Sequence, residues 1–307
     1  VNRPDWRGRE AILKVHARNK PIDATVDFKT IARITSGFTG ADLENCLNEA
    51  AILAARDNRR QITMADVNEG ITKMEMGPAK KSRLVTEHDK RITAYHEAGH
   101  AVVTYYCPTQ DPVHQISIIP RGHMALGYTL QLPFTMTRPE NDNEHVSKAY
   151  LLDNITMTLG GRIAEELVIE DYCTGASGDI KALTERCRKM VTEWGMSEKV
   201  GLLYYGGEQE VFVGRDYHST QGYSEETAAL IDEEVRRIVD ECHERGTEIL
   251  KGKLDILHNM AKVLITKETI HTDEVNMLMQ GKSAAEVIDF IDVKYSTEDK
   301  KTAVTGT

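Results

Sequence analysis

The chain is poor in the features that mark secreted, membrane-spanning or nucleic-acid-binding proteins. Its five cysteines, Cys46, Cys107, Cys173, Cys187 and Cys242, are odd in number and scattered, with no CxxC pair. That excludes a disulfide framework and a cysteine-built zinc cluster, and it fits reduced thiols in a cytosol-like compartment. No apolar run of about 18 residues occurs, so nothing in this sequence reads as a membrane span. No signal peptide is evident either. Positive charge is short: 38 Lys and Arg against 48 Asp and Glu leave a net charge of −10. Such a balance argues against a nucleic-acid partner, which calls for a basic face. There is no GxxxxGK[ST] phosphate loop, so this chain alone is not expected to hydrolyse ATP. What is present, 40% apolar and 28% charged residues over 307 positions, is ordinary globular composition with length for one to three domains. The chain begins at Val1 in mid-pattern, which reads as a fragment of something longer.

The chemistry is concentrated in His96-Glu97-Ala98-Gly99-His100. On a helix, positions i and i+4 lie one above the other, so both imidazoles point one way and can share a Zn²⁺ at about 2.0–2.1 Å. Glu97 is rotated off that line and stands beside the metal, where it can take a proton from a bound water. Ala94, Ala98, Gly99, Ala101, Val102 and Val103 surround the motif, so the segment reads as a buried helix of small residues. The bland alternative is two core histidines beside a surface glutamate.

Along the chain, residues 4–76 read as a compact helical unit. Pro4-Asp5 precedes an amphipathic segment with Ile12, Leu13 and Val15 on its apolar side, and Pro21 interrupts it. Phe28, Ile31 and Ile34 resume the helical spacing. A long helix over 41–58 and a short one over 64–72, N-capped by Thr63, complete the unit. Gly77-Pro78 with Lys80, Lys81 and Arg83 reads as a linker. The second unit opens with the His-bearing helix over 87–106. Two strands follow, over 113–119 and 128–132, the first alternating as a partly buried edge strand does. A mobile loop is expected over 135–144, helices over 146–168 and 179–194, and an irregular Gly- and Tyr-rich stretch over 201–223. Helices over 224–252, 254–265 and 272–280 lead into a polar tail after Val293, which is expected to be disordered.

A catalytic zinc takes three protein ligands and keeps one position open. HExxHxxGxxH would need a histidine where Tyr106 stands. Two acidic candidates remain: the pair Glu165-Glu166, and Asp179 after the small-residue loop Thr174-Gly175-Ala176-Ser177-Gly178. Asp179 reads equally as a helix N-cap or first-turn acid, and Glu165 and Glu166 as ion-paired acids. Spacing does not choose between them.

The second unit resembles the peptidase domain of FtsH-type ATP-dependent zinc metalloproteases almost end to end. The resemblance is carried by Thr93-Ala94-Tyr95-His96-Glu97-Ala98-Gly99-His100-Ala101, Ile118-Ile119-Pro120-Arg121-Gly122, Leu126-Gly127-Tyr128-Thr129, Leu159-Gly160-Gly161-Arg162, Ala164-Glu165-Glu166, Thr174-Gly175-Ala176 with Asp179, and Trp194-Gly195-Met196. The first unit resembles the small helical lid of the AAA module that precedes this peptidase, through Pro4-Asp5, Gly8-Arg9, His16, Gly37-Phe38, Gly40-Ala41-Asp42-Leu43 and Asn48-Glu49-Ala50-Ala51. Two departures stand out. Gly178 replaces the usual Asn, and the loop over 120–127 is about one residue longer than common.

The resemblance implies a mainly α (α+β) chain: a AAA lid over 1–77, a linker over 78–86, a zinc metallopeptidase domain with a small sheet over 87–293, and a disordered tail over 294–307. It implies one zinc per subunit on His96, His100 and Asp179, with Glu97 as the base and Glu165 and Glu166 as supporting acids. His16, Gly40 and Ala41 are implied to lie against adenine and ribose, with ATP and Mg²⁺ bound mainly by a larger subdomain that this sequence lacks. The strand over 113–119 lies where such enzymes add an extended substrate. The family further implies a homohexamer that threads and degrades unfolded polypeptides, anchored upstream in the inner or plasma membrane with this portion facing the cytoplasm and itself soluble. No nucleic acid and no membrane contact by this portion are expected. Two other readings compete: an assembly module with a structural zinc or none, and a zinc hydrolase of small amides.

Overall fold

The computed structural model describes residues 3–78, 85–121, 128–131, 146–170, 173–206 and 223–304. The predicted linker core over 79–84, the loop over 135–144, the long turn over 122–127 and most of the irregular stretch (207–222) lie outside the described residues.

The first four helices build one small core. α1 (Trp6–Ala17) starts at Asp5, whose carboxylate accepts the Gly8 N–H at 2.7 Å. α2 (Phe28–Ile34) follows after the interruption at Pro21. α3 (Gly40–Arg56) and α4 (Met64–Met76) both begin with capping boxes, Thr39 with Asp42 and Thr63 with Asp66, in which side chain and backbone satisfy each other's unpaired groups. Leu13, Ile31, Leu43, Leu47, Ile62 and Val67 fill the core between them. Val15 departs from expectation: it is 51% exposed, because one hundred degrees per residue carries it off the face that Leu13 buries. Arg9 is buried and donates to the carbonyls of Ala32 and Pro4, both at 2.8 Å, so it ties α1 to α2.

The second core shares none of these residues. It gathers α5 (Glu87–Tyr106), α6 (Lys148–Val168), α7 (Ser177–Thr192), α8 (Glu225–Lys251), α9 (Leu254–Lys267), α10 (Thr272–Met279) and α11 (Ala284–Val304) around three short strands. The chain is mainly α. The sheet runs β2 (Tyr128–Gln131), β1 (Val113–Ser117), β3 (Thr269–His271), antiparallel throughout. β1 is therefore the central strand and not the edge strand its alternation suggests. The reason is non-local: its second partner, β3, is three residues contributed from beyond α9. A register shift between Val113 and Gln115 also breaks the strict alternation. Helix continues through residues 294–304, where a disordered tail is expected; polarity there argues against burial, while Lys and Glu remain good helix formers.

α5 and α6 meet backbone to backbone. A Cβ placed on Gly160 would come within 2.7 Å of the Gly99 carbonyl oxygen, and one on Gly99 within 2.6 Å of the Ala164 Cβ. Only glycine at both crossing points allows this approach, and it brings the His-bearing face of α5 against α6.

Behind α6 and α7, α8 is anchored by a buried carboxylate. Glu234, 1% exposed, accepts from Ser197 Oγ at 2.8 Å and from Arg237 Nε at 3.0 Å. The Arg237 hydrogen bond does most to hold its pKa down at about 2; burial opposes this, and Ser197 assists. A depressed folded-state pKa contributes stability that is complete above the unfolded value near 4.3 and is lost as pH falls towards 2. Thermal unfolding followed from pH 7 to pH 3 should therefore show Glu234→Gln less stable than wild type at neutrality, with the gap closing on acidification. A gap independent of pH would mean that the carboxylate charge contributes nothing.

Candidate metal centre

α5 presents His96 and His100 towards α6 and the start of α7, and these two and Glu97 are largely buried. Each imidazole is oriented from behind by its Nδ1. His96 Nδ1 donates to Glu165 Oε1 at 2.7 Å, and His100 Nδ1 donates to the Met157 carbonyl at 2.9 Å. Those bonds keep a proton on each Nδ1 and turn both Nε2 atoms forward. The two Nε2 atoms face each other at 3.0 Å, and Asp179 Oδ2 closes the triangle at 3.2 Å from His96 and 3.6 Å from His100.

Two imidazole nitrogens and a carboxylate oxygen converge here. Ligands held at 2.0–2.1 Å around a tetrahedral centre stand about 3.3 Å from one another, so the three observed separations bracket that spacing. The three ligand atoms all lie within 4.8 Å of one another. The electrostatics agree. Burial alone pushes the His96 pKa down, yet hydrogen bonds that Asp179 and Glu165 accept from the ring, with the charges of Glu97 and Asp179, reverse this and raise it to about 10. Burial pushes Asp179 up, and the two histidines pull it well below the usual carboxylate range. The pocket thus holds a surplus of negative potential aimed at one point, which suits a borderline-soft divalent cation with imidazole and carboxylate ligands.

Asp179 stands in the first turn of α7 and does not cap it. The N-cap is Ala176, which makes no side-chain bond, and a short 3₁₀ turn over Thr174–Ala176 leads in. Small residues there let the first turn of α7 come up to the histidines. Of the two acidic candidates, Asp179 lies on the Nε2 side and Glu165, only 1% exposed, on the Nδ1 side of His96. Glu166 is ion-paired instead, with Arg162 Nε at 3.2 Å and His243 Nε2 at 3.0 Å. A Cβ on Gly178 would meet nothing within 4 Å among the described residues.

Gly161 is the participant that residue-type reasoning passes over. A Cβ on it would stand 2.6 Å from His100 Nε2 and His96 Cε1, so both rings lie directly on the α6 backbone. Its signal in the sequence is a glycine pair inside a helix, which costs about 1 kcal/mol per glycine relative to alanine and so points to a packing need.

In the first core, His16 lies in the last turn of α1 with its Nδ1 3.8 Å from Glu44 Oε1, while Gly40 and Ala41 are the first two residues of α3, about one turn before Glu44. These three positions gather where α1 and α3 meet. They are remote in sequence from the candidate metal ligands.

A helix-borne HExxH pair completed by an acid from a later helix defines a metallopeptidase-type centre. Residues 83–278 match the profile of peptidase family M41, and residues 25–69 match that of the AAA+ lid domain. The chain belongs to peptidase family M41. The ATP-dependent zinc metalloprotease FtsH of Caldicellulosiruptor bescii is 52% identical over 280 residues, covering 91% of this chain and 44% of that protein. FtsH 1 of a Thermoanaerobacter species is 50% identical over 283 residues (92% and 45%), and FtsH of Thermotoga maritima 51% over 280 (91% and 45%). The chain thus spans somewhat under half the length of these relatives.

Proposed function

We propose that the chain is the zinc endopeptidase portion, with the AAA lid, of an ATP-dependent protease. The observation that carries this reading is the convergence of His96 Nε2, His100 Nε2 and Asp179 Oδ2 on one point while Glu165 and the Met157 carbonyl hold the rings from behind. A zinc ion bound there supplies Lewis acidity and lowers the pKa of water from 15.7 towards roughly 7. Glu97, beside the ligands on α5 and buried, takes the proton of the attacking water and hands it to the leaving amine. No side-chain nucleophile is used. Glu165 keeps His96 in its ligating tautomer, and its own burial makes that orientation rigid.

An extended peptide fits by strand addition, and the place for it is β2. β1 is paired on both sides, whereas β2 is an outer strand among the described residues and packs on α5. Residues 1–77 serve as the lid and 87–293 as the peptidase, a division supported by the separate cores and the two profile matches. His16, Gly40 and Ala41 form the lid's nucleotide face, and ATP with Mg²⁺ is hydrolysed by a larger ATPase subdomain outside this sequence. The assembled protease is a homohexamer, processive on unfolded membrane and cytosolic polypeptides, anchored in the plasma or inner membrane with this portion on the cytoplasmic side. No helix among the described residues is long and apolar enough to cross a membrane. The test is cleavage of an unfolded polypeptide before and after chelation. Activity should vanish with the metal and return on adding about one equivalent of Zn²⁺. Cleavage that survives complete chelation rules the reading out, and cleavage of dipeptides in preference to longer chains points to the small-amide hydrolase.

A further inference from the structure

The two cores share no residue, yet a charged pair crosses between them. Arg121, only 4% exposed, donates from Nη1 to Glu69 Oε1 at 3.0 Å and from Nη2 to Glu69 Oε2 at 2.7 Å. This is the bidentate geometry in which guanidinium and carboxylate interact most strongly. Both partners stand on stiff supports. Glu69 is mid-helix in α4, where α4 packs so closely on α3 that a Cβ on the adjacent Gly70 would come within 2.9 Å of the Cys46 carbonyl oxygen. Arg121 lies four residues past β1, and the intervening Ile118-Ile119-Pro120 has little slack. The Ile118 N–H donates to the Glu268 carbonyl at 2.9 Å, the Ile119 N–H donates to Ser117 Oγ at 3.2 Å, and proline fixes its own φ and keeps Ile119 extended. β1 in turn packs on α5, the helix that carries the metal-ligand candidates.

We infer that the Glu69–Arg121 pair is a latch through which the position of α4 is transmitted to β1 and the sheet beside α5. A bidentate joint between separately cored units has two states, made or broken, because its two parallel hydrogen bonds form and are lost together. Neither residue touches the metal centre, and the inference stands whether or not the chain cleaves peptides.

Hydrogen exchange on the zinc-loaded 307-residue chain tests it. Glu69→Gln is nearly isosteric and leaves Arg121 in place, so both cores should remain folded. The amides of Gln115 to Ile118 should then exchange about tenfold faster, as a coupled opening of this size implies. The charge swap Glu69→Arg with Arg121→Glu should restore much of the protection. A change confined to α4 and its neighbours overturns the inference, as does a faster β1 that the swap fails to restore.

Discussion

Glu97→Gln should keep its zinc and its melting temperature and lose cleavage by about 10²–10⁴-fold, the range assigned to a positioned general base. The two side chains have nearly the same shape, so the packing of α5 is undisturbed; what disappears is the capacity to accept a proton. Glu97 is 6% exposed, so bulk water cannot simply take over the task from the solvent side. Metal content by atomic absorption, together with hydrolysis of an unfolded substrate, reads both arms. Cleavage within a few-fold of wild type would remove Glu97 from the chemistry, and loss of zinc would make it a structural support of the ligands.

Gly161→Ala is the second substitution with a large expected effect, and here two magnitudes compete. Alanine is favoured over glycine inside a helix by about 1 kcal/mol. Forcing a methyl group into a filled site costs about 1–3 kcal/mol. These nearly offset, so the fold should survive with a small net loss in stability. The strain falls on the two imidazoles 2.6 Å away, which must rotate or retreat from α6. Zinc affinity should drop by about 10–100-fold, the range seen when support behind metal ligands is disturbed. A competition titration against a chromophoric chelator measures it. Unchanged affinity would show that the rings have room the geometry does not suggest.

The parts of this site that were legible in the sequence are those that depend on one helix. His96, Glu97 and His100 are related by the helical repeat alone, so residue type and spacing are enough to place them. The capping boxes at Thr39 and Thr63 are equally local, and helix starts there are well anticipated. The third candidate ligand is not local. Asp179 reaches the histidines only because Gly99 and Gly160 let α5 and α6 touch and α7 packs on α6, so spacing left it level with Glu165. In three dimensions the two acids separate to opposite edges of the His96 ring, one forward and one behind. The sheet shows the same limit. β1 has the alternation of an edge strand, but its second partner arrives about 150 residues later and makes it central. Val15 and the helical residues 294–304 show a further one: an apolar side chain does not guarantee burial, and a polar run does not preclude helix.

The most direct measurement is zinc-edge X-ray absorption on the chain loaded with one equivalent of metal, compared with Asp179→Ala. Wild type should show two imidazole nitrogens and light oxygen ligands at about 2.0–2.1 Å, one of them exchangeable solvent. Asp179→Ala should lose a protein oxygen from that shell and release its zinc at much lower chelator concentration. An identical spectrum and affinity in the variant, or a closed shell of four protein ligands in wild type, would contradict the assignment of His96, His100 and Asp179 to an open catalytic centre.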